Sequence, residues 1–318
     1  MRQLLIALLA CLVTGSALAS YPERPVRLIT PFPPGGATDL LARTVGERLS
    51  QRLRQAVVIE NRPGAGGNVG AELASRAAPD GYTLLMAPTS IYAVSETLYP
   101  RLNYDLRKDF TPVSLVANAP HVLLVHPSLP VETVAQLVAY AKARPGELNF
   151  ASQGSGTVSH LEAEMFKSMA GIDLLHIPYR GSAPAVLDLL AGRVHAMFDS
   201  IVSSQPHIRA GTLRPLAVAS PGRSPLLPDV PTMDEAGQKG YSAHSWLGIL
   251  VPAGTPRAIV QRLHRDLVAA IDEPRTRAKL IEHGFEPATS TPAELAKMIR
   301  EEIAKWAPLV KQSGATPD

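Results

Sequence analysis

The sequence predicts an α/β protein of two domains, the first of which is split around the second. Strand, small-residue loop and helix follow one another repeatedly, which is typical of parallel α/β sheets. The series begins again after residue 126, and the length of 318 residues suits about two domains. The expected parts are domain 1 at residues 20–114 and 222–318, domain 2 at residues 115–221, and crossing segments near 113–116 and 219–223.

The N-terminus has the pattern of a cleavable signal peptide. A basic start is followed by the apolar stretch Leu4–Val13 and the small residues of Ala17–Ala19. The stretch is shorter than the about 20 residues that span a bilayer core. We therefore expect residues 1–19 to be removed on export to a bacterial periplasm. The alternative is a lipoprotein, since Leu8–Cys11 loosely resembles a lipoprotein cleavage site.

Three strand–loop units are expected at the start of domain 1. The apolar spacing of Leu41, Val45 and Leu49 predicts a helix from Thr38 to about Leu53. Further along, a second helix follows a glycine-rich loop and runs through Ala77. The expected strands and loops are strands at 26–30, 56–60 and 83–86, and loops at 31–36, 61–68 and 87–90.

Domain 2 is expected to continue the alternation after a β-rich segment at 113–126. Ser159–Glu162 has the residue pattern of a capping box, which predicts the start of a helix. The other expected elements are strands at 148–151, 174–177, 194–198 and 213–219, and helices at 131–143 and 184–190. A strand at 247–251 and helix starts at Thr255 and Thr291 then indicate a return to domain 1.

Both halves place a loop of small residues between the carboxyl end of a strand and the start of a helix. Ligands bind at this edge of parallel sheets. The first N–H groups of a helix are unpaired and carry partial positive charge, so they can hold an anion without Arg or Lys. Two such loops that face each other, one of them Gly35–Asp39, could hold both ends of a dicarboxylate.

Composition and motifs argue against several other classes of protein. The chain is 46% hydrophobic and 19% charged with a net charge of +3, which excludes a disordered chain and a nucleic-acid protein driven by basic charge. Gly64–Gly70 resembles a dinucleotide loop, but Val69 stands where that motif needs glycine. No serine-hydrolase or zinc-protease motif occurs, and the only cysteine, Cys11, lies in the signal peptide. We expect no catalytic residue, cofactor or metal site; a periplasmic enzyme is the weakest alternative.

The sequence resembles the Bug family, the periplasmic receptors of tripartite tricarboxylate transporters. The resemblance runs through nearly the whole mature chain. The segments that carry it are Tyr21–Ile29, Pro31–Gly36, Glu60–Gly70, Ala78–Leu85, His176–Pro184, Leu227–Thr232 and Pro252–Pro256.

This resemblance implies a type 2 periplasmic-binding-protein fold, in which two domains joined by two crossing segments enclose a ligand cleft. It implies a monomeric receptor that closes on a small carboxylate and delivers it to membrane permease subunits, with no nucleic-acid partner. A di- or tricarboxylate, an acidic amino acid or an aromatic acid would each suit such a receptor. A receptor that reports its ligand to a signalling partner is compatible with the same fold.

The resemblance also implies which residues form the ligand site. They are Phe32, Gly35, Gly36, Ala37, Thr38, Asp39, Gly67, Asn68, Thr89, Ser152, Ser155, Gly156, Thr157, Tyr179, Gly181 and Asp199. Asp39 could hold a water or satisfy helix N–H groups, and Asp199 could bind an amino group or cap a turn. The family often has an Asn-Pro pair where this chain has Ser90-Ile91, a departure at the expected edge of the pocket.

Overall fold

The computed structural model describes residues 21–243, 245–312 and 315–316, so the expected signal peptide lies outside the described residues. The strands are β1 (Val26–Thr30), β2 (Val57–Asn61), β3 (Thr83–Pro88), β4 (Phe110–Asn118), β5 (His121–Val125), β6 (Asn149–Ser152), β7 (Leu175–Pro178), β8 (Ala196–Ser200), β9 (Arg214–Val218), β10 (Trp246–Pro252) and β11 (Glu286–Pro287).

The helices alternate with these strands. They are α1 (Ala37–Leu53), α2 (Asn68–Ser75), α3 (Ser95–Leu98), α4 (Leu106–Asp109), α5 (Val134–Ala143), α6 (Val158–Ala170), α7 (Ser182–Leu190), α8 (Ile201–Arg209), α9 (Arg257–Ile271), α10 (Pro274–Glu282) and α11 (Pro292–Gln312). A 3₁₀ turn (Ala65–Gly67) precedes α2, and a π-helical turn (Ser90–Val94) precedes α3. None of the described helices is both long and apolar enough to cross a bilayer.

The strands form two mixed sheets. The first has six strands in the order β11-β4-β10-β3-β1-β2, and the second has five in the order β7-β6-β8-β5-β9. β1 is parallel to β2 and β3, and β6 is parallel to β7 and β8. Strands β10 and β5, which each follow a crossing between the sheets, run antiparallel to their neighbours. The sequence indicated only the parallel part, because an apolar run does not encode the direction of its strand.

The chain passes between the sheets twice. β4 of the first sheet ends at Asn118 and β5 of the second begins at His121, and the return runs from Val218 to Trp246. The two crossing segments are joined, since the Ala119 amide donates to the Ser245 carbonyl at 2.8 Å. The first crossing lies beyond the expected 113–116 because residues 110–118 pair with β10. Which residues move as one domain stays a prediction.

Apolar helix faces cover the sheets and bury their strands. β3 and β10 are buried along their whole lengths, as expected for strands with helices on both faces. Leu41, Val45 and Leu49 of α1 are buried as their spacing predicted. A single apolar cluster contains residues of both sheets and Trp306 of α11. The C-terminal helix therefore packs against a core that the two sheets share.

The expected capping box at Ser159–Glu162 is wrong. Helix α6 begins at Val158 instead, and the hydroxyl of its N-cap, Thr157, accepts a hydrogen bond from the His160 amide. The Ser159 hydroxyl donates to the Phe198 carbonyl at 2.5 Å, and Glu162 is buried. Both side chains have the right spacing for a cap but face the core, which the local sequence does not reveal.

Candidate ligand-binding cleft

A cavity of about 50 Å³ lies between the carboxyl ends of strands from both sheets. The first sheet contributes Ser90 after β3 and four residues of the loop after β1, namely Phe32, Pro33, Pro34 and Gly36. Gln153 after β6, Gly181 after β7 and Ser200 at the end of β8 line it from the second. Since ligands of α/β proteins bind outside the carboxyl ends of strands, this cavity is the candidate site.

Four helices begin at the cavity wall. Helices α6 and α8 have side-chain caps, because the hydroxyls of Thr157 and Ser200 accept hydrogen bonds from backbone amides of the first turn. Helices α1 and α7 begin at Gly36 and Gly181, and no side chain caps either end. The two uncapped ends belong to different sheets, so N–H groups with partial positive charge face the cavity from both sides.

Asp39 shapes the first of these ends. Its carboxylate accepts hydrogen bonds from the Gly35 amide at 3.1 Å, from Arg43 Nε at 3.0 Å and from Asn61 Nδ2 at 2.9 Å. Burial by itself would raise the pKa of Asp39, but these three donors together lower it below its usual value. Asp39 does not line the cavity. The Asp39 carboxylate therefore stabilises the conformation of the loop before α1 through these three hydrogen bonds.

Gly181 allows the start of α7 to approach the loop that precedes α1. Its amide donates to the Gln153 carbonyl at 3.1 Å, and its φ of +115° is a conformation that favours glycine. A Cβ atom at this position would lie 3.3 Å from Pro33 Cδ of the opposite loop. The loops of the two sheets thus approach each other at the rim of the cavity.

Asp199 organises the wall from behind. It is fully buried and accepts hydrogen bonds from Gln153 Nε2 at 2.7 Å, Ser182 Oγ at 2.8 Å and Ser203 Oγ at 2.7 Å. Burial raises the pKa of Asp199 despite these donors. Gln153 and Ser182 line the cavity, whereas Asp199 does not. Asp199 therefore orients two lining side chains from outside the cavity.

A side pocket of about 350 Å³ opens beside the cavity and shares Phe32, Pro33 and Gln153 with it. Its other walls are the glycine loop Gly64–Gly67 of the first sheet and Tyr179-Arg180 of the second. The Tyr179 hydroxyl donates to Asp188 at 2.7 Å. The side pocket is thus an extension of the same cleft toward the surface.

The residues expected to form the ligand site lie in three places. Those in the wall of the main cavity are Phe32, Gly36, Ala37, Thr38, Thr157 and Gly181. Those in the side pocket are Gly67 and Tyr179. Those that line neither space are Gly35, Asp39, Asn68, Thr89, Ser152, Ser155, Gly156 and Asp199.

Several members of the last group are engaged by the protein itself. Asn68 accepts from the Tyr104 hydroxyl at 2.6 Å and donates to the Ala65 carbonyl. The Thr89 hydroxyl bonds both backbone groups of Trp246, and the Ser152 hydroxyl lies 2.6 Å from His176 Nε2. These side chains hold the loops in place, and their role as ligand contacts stays a prediction.

The sequence did not indicate several polar residues of the cavity. They are His121, Gln153, Ser182, Ser200 and Ser245. Gln153 and Ser182 adjoin expected loop residues, and Ser200 follows a strand, so their placement after strands was a usable signal. His121 directly follows the first crossing segment and Ser245 ends the second. These segments carry no motif and reach the cavity only through the fold.

The described residues that line the main cavity include neither Arg nor Lys, whereas Arg180 lines the side pocket. No group of His, Asp or Glu among the described residues could hold a metal ion. Backbone amides, hydroxyls, one carboxamide and one imidazole supply the polar surface. Such a set suits a small anion that needs several directed hydrogen bonds.

The family described as the tripartite tricarboxylate transporter family receptor, TctC, matches residues 41–315. The chain belongs to this family. BugT of Bordetella pertussis is 38% identical over 318 residues, which cover 98% of this chain and 98% of BugT. A Pseudomonas protein from the tcbD–tcbE intergenic region is 40% identical and covers 97% of this chain and 93% of its own length.

Solved structures of similar proteins confirm the expected fold of this TctC receptor. A Rhodopseudomonas palustris protein solved with adipate is 40% identical, with a TM-score of 0.91 over 94% of this chain and 100% of that one. MatC of the same organism, with bound malate, is 34% identical, with a TM-score of 0.85 over 91% and 100%. The periplasmic binding protein BugD is 35% identical, with a TM-score of 0.88 over 93% and 99%. The TctC receptor is accordingly a periplasmic solute-binding protein.

Proposed function

We propose that this receptor captures a short dicarboxylate in the cleft between its two sheets and delivers it to the permease of a tripartite tricarboxylate-type transporter. It does so as a monomer, after export with loss of residues 1–19. One carboxylate binds the start of α1 at Gly36, and the other binds the start of α7 at Gly181. The residues of the main cavity and of the side pocket form the binding surface.

The observation that carries this proposal is the pair of uncapped helix starts on opposite walls of one cavity. Each offers unpaired N–H groups to an anion, and a ligand with two anionic ends joins the two sheets. The adipate and malate found in similar proteins are dicarboxylates, which supports the same ligand class here.

The cavity and the side pocket together set the space for the ligand. The cavity of about 50 Å³ holds roughly three to five water-sized groups, which is fewer than the non-hydrogen atoms of a four-carbon diacid. The side pocket of about 350 Å³ continues the cleft and offers room for the rest of the chain. Malate and adipate, found in similar proteins, have four and six carbons. We expect diacids of four to six carbons to bind best.

Calorimetry with a panel of acids tests the ligand class. We expect malate, succinate and adipate to bind with Kd values near micromolar, which corresponds to about −8 kcal/mol. Citrate, benzoate and the diamide of succinate should bind much more weakly, because citrate has a third carboxylate that the two helix starts leave unpaired, benzoate has one anionic end and the diamide has none. Binding of none of the diacids, or equal binding of the diamide, would contradict the proposal.

The variant Gly36→Val tests the position of the site. A Cβ atom at Gly36 would meet no heavy atom within 4 Å, and the backbone there is ordinary extended chain, so valine is compatible with the fold and fills the cavity. We expect at least a hundredfold loss of diacid affinity with an unchanged thermal midpoint without ligand. Gly222→Val is the matched control, because Gly222 also has open space around it but does not line the cavity.

Delivery is tested by uptake of a labelled diacid in a strain that lacks the receptor. Wild-type receptor and Gly222→Val should restore uptake, and Gly36→Val should not. Undiminished uptake without any receptor would show that the permease does not depend on it.

A further inference from the structure

His121 is the one imidazole in the described wall of the main cavity. It stands at the start of β5, directly after the first crossing segment, and only 3% of its surface is exposed. Its Nδ1 lies 2.6 Å from Glu162 Oε2. None of the described residues makes a hydrogen bond with Nε2, so this nitrogen is the ring atom left for a ligand.

Two carboxyl groups accompany His121 in the interior of the second sheet. Glu162 on α6 is fully buried, and its Oε1 has no hydrogen-bond partner among the described residues. Asp199 on the neighbouring β8 is also fully buried. The β9 side contributes no charged group next to His121, because Val218 pairs with Val122 and the Ala219 amide donates to the His121 carbonyl.

The charges of this group favour retention of a proton. Burial alone lowers the pKa of His121, but the charge and hydrogen bond of Glu162, together with the charge of Asp199, raise it above its usual value. Burial also raises the pKa of Glu162, which His121 only partly offsets. Because the pKa values of His121 and Glu162 are both raised, the pair keeps one shared proton to higher pH than the two groups would in water.

The presence or loss of that proton decides whether Nε2 donates or accepts a hydrogen bond. With the shared proton on either side of the Nδ1–Glu162 contact, the ring is protonated at Nε2 and can donate to a carboxylate. Without it, Nδ1–H must donate to the Glu162 carboxylate, and Nε2 becomes a lone-pair acceptor that cannot bind a carboxylate oxygen. Loss of one proton therefore converts a donor in the cavity wall into an acceptor.

We propose that His121 binds the ligand directly, by donating a hydrogen bond from Nε2–H to a carboxylate oxygen, and that ligand binding requires the proton shared by His121 and Glu162. This inference rests on the proposed function, since it concerns a carboxylate in the same cavity. It makes the affinity of the receptor a function of pH, with tighter binding below the apparent pKa of the pair than above it.

Calorimetry with adipate and malate between pH 6 and pH 9, in two buffers of different ionisation enthalpy, tests the inference. The wild-type affinity should fall up to tenfold per pH unit above the apparent pKa of the pair, with uptake of up to one proton per ligand. His121→Asn should bind about 10- to 100-fold more weakly at pH 6 and lose the pH dependence, since it removes a hydrogen bond from a charged donor. His126→Asn, at the other end of β5 and outside the cavity, is the matched control and should behave as wild type.

Two further measurements guard against misfolding of the single variant. The double variant His121→Gln with Glu162→Gln keeps two polar side chains in contact without a titrating group, and it should bind independently of pH. In wild-type receptor with ¹⁵N-labelled histidine, the Nε2 atom of His121 should carry a proton in the complex with adipate, at a pH where Nε2 of the free receptor has lost its proton.

The outcomes separate this inference from the proposed function. If adipate or malate binds with a flat pH profile, without proton uptake and equally well to His121→Asn, the role of His121 is wrong and the diacid site stands. If no diacid binds the wild-type receptor at any pH, the proposed function is wrong and the inference is wrong with it.

Discussion

At the scale of single residues, the two carboxylates that suggested ligand contacts are engaged by the protein. Asp39 accepts from Gly35, Arg43 and Asn61, and Asp199 accepts from three polar side chains. A buried carboxylate is costly unless donors satisfy it, so nearby donors collect around it. Each acid therefore fixes the geometry of cavity residues without facing the cavity.

The variant Asp199→Asn tests this arrangement. An amide NH₂ group in place of one carboxylate oxygen would face Gln153 and Ser182, which are themselves donors. We expect the free energy of unfolding to fall by about 1–3 kcal/mol and diacid affinity to fall as the wall loosens. Urea unfolding and calorimetry measure both. Asp188→Asn, at a partly exposed carboxylate, should lose much less free energy of unfolding. Equal losses for the two variants would contradict a special role for Asp199.

At the scale of elements, the wall of the second sheet depends on a neutral histidine at the start of α6. His160 is buried, and its Nδ1 accepts a hydrogen bond from the Gly156 amide at 3.1 Å. Burial, together with the charges of His176 and Lys167, lowers the pKa of His160 to about 3. The bond requires an unprotonated Nδ1, so this contact between the loop and the helix exists only while the ring is neutral.

This geometry predicts how stability depends on pH. The unfolded chain protonates His160 near pH 6.5, whereas the folded state excludes the proton until about pH 3. The contribution of His160 is therefore complete above pH 6.5 and is lost as the pH falls toward 3, by up to about 1.4 kcal/mol per pH unit. Urea unfolding from pH 7 to pH 4 should show a shallower decline for His160→Gln than for wild type. A parallel decline in the two proteins would contradict the assignment.

At the scale of the whole molecule, the cleft has two kinds of boundary. Its mouth is formed by loops that approach each other without being covalently joined, such as Pro33 and Gly181. Its base is formed by the crossing segments, which are hydrogen-bonded at Ala119 and Ser245, and the apolar cluster with Trp306 lies between the sheets. We therefore expect that a movement that opens the mouth pivots about the crossing segments, as in a hinge.

Spin labels measure that movement. The sequence has a single cysteine, Cys11, so a chain expressed from residue 20 has no native cysteine that competes for the labels. With Val69→Cys in the first part and Leu187→Cys in the second, both exposed, saturating adipate should shorten and narrow the distance distribution. The pair Leu175→Cys and Leu187→Cys, both from the second sheet region, should not change. An unchanged distance between the first pair at saturation would contradict closure.

The sequence by itself determined the local order of this protein. Apolar spacing located α1 and the parallel strands, and small-residue loops after those strands located Gly36 and Gly181 at helix starts. These features depend on neighbours a few residues apart, so they can be identified along the chain. The strand directions and the crossing positions could not, because pairing partners are distant in sequence.

Only the tertiary structure decided which side chains share an interior. The residue pattern of Ser159–Glu162 predicted a helix cap, yet Glu162 contacts His121, which is 41 residues earlier in the chain. Likewise, Asp199 accepts hydrogen bonds from Gln153 in the loop after β6 and from Ser182 at the start of α7. Buried polar groups must find partners wherever the fold brings donors and acceptors together, and that choice is made by packing, not by spacing along the chain.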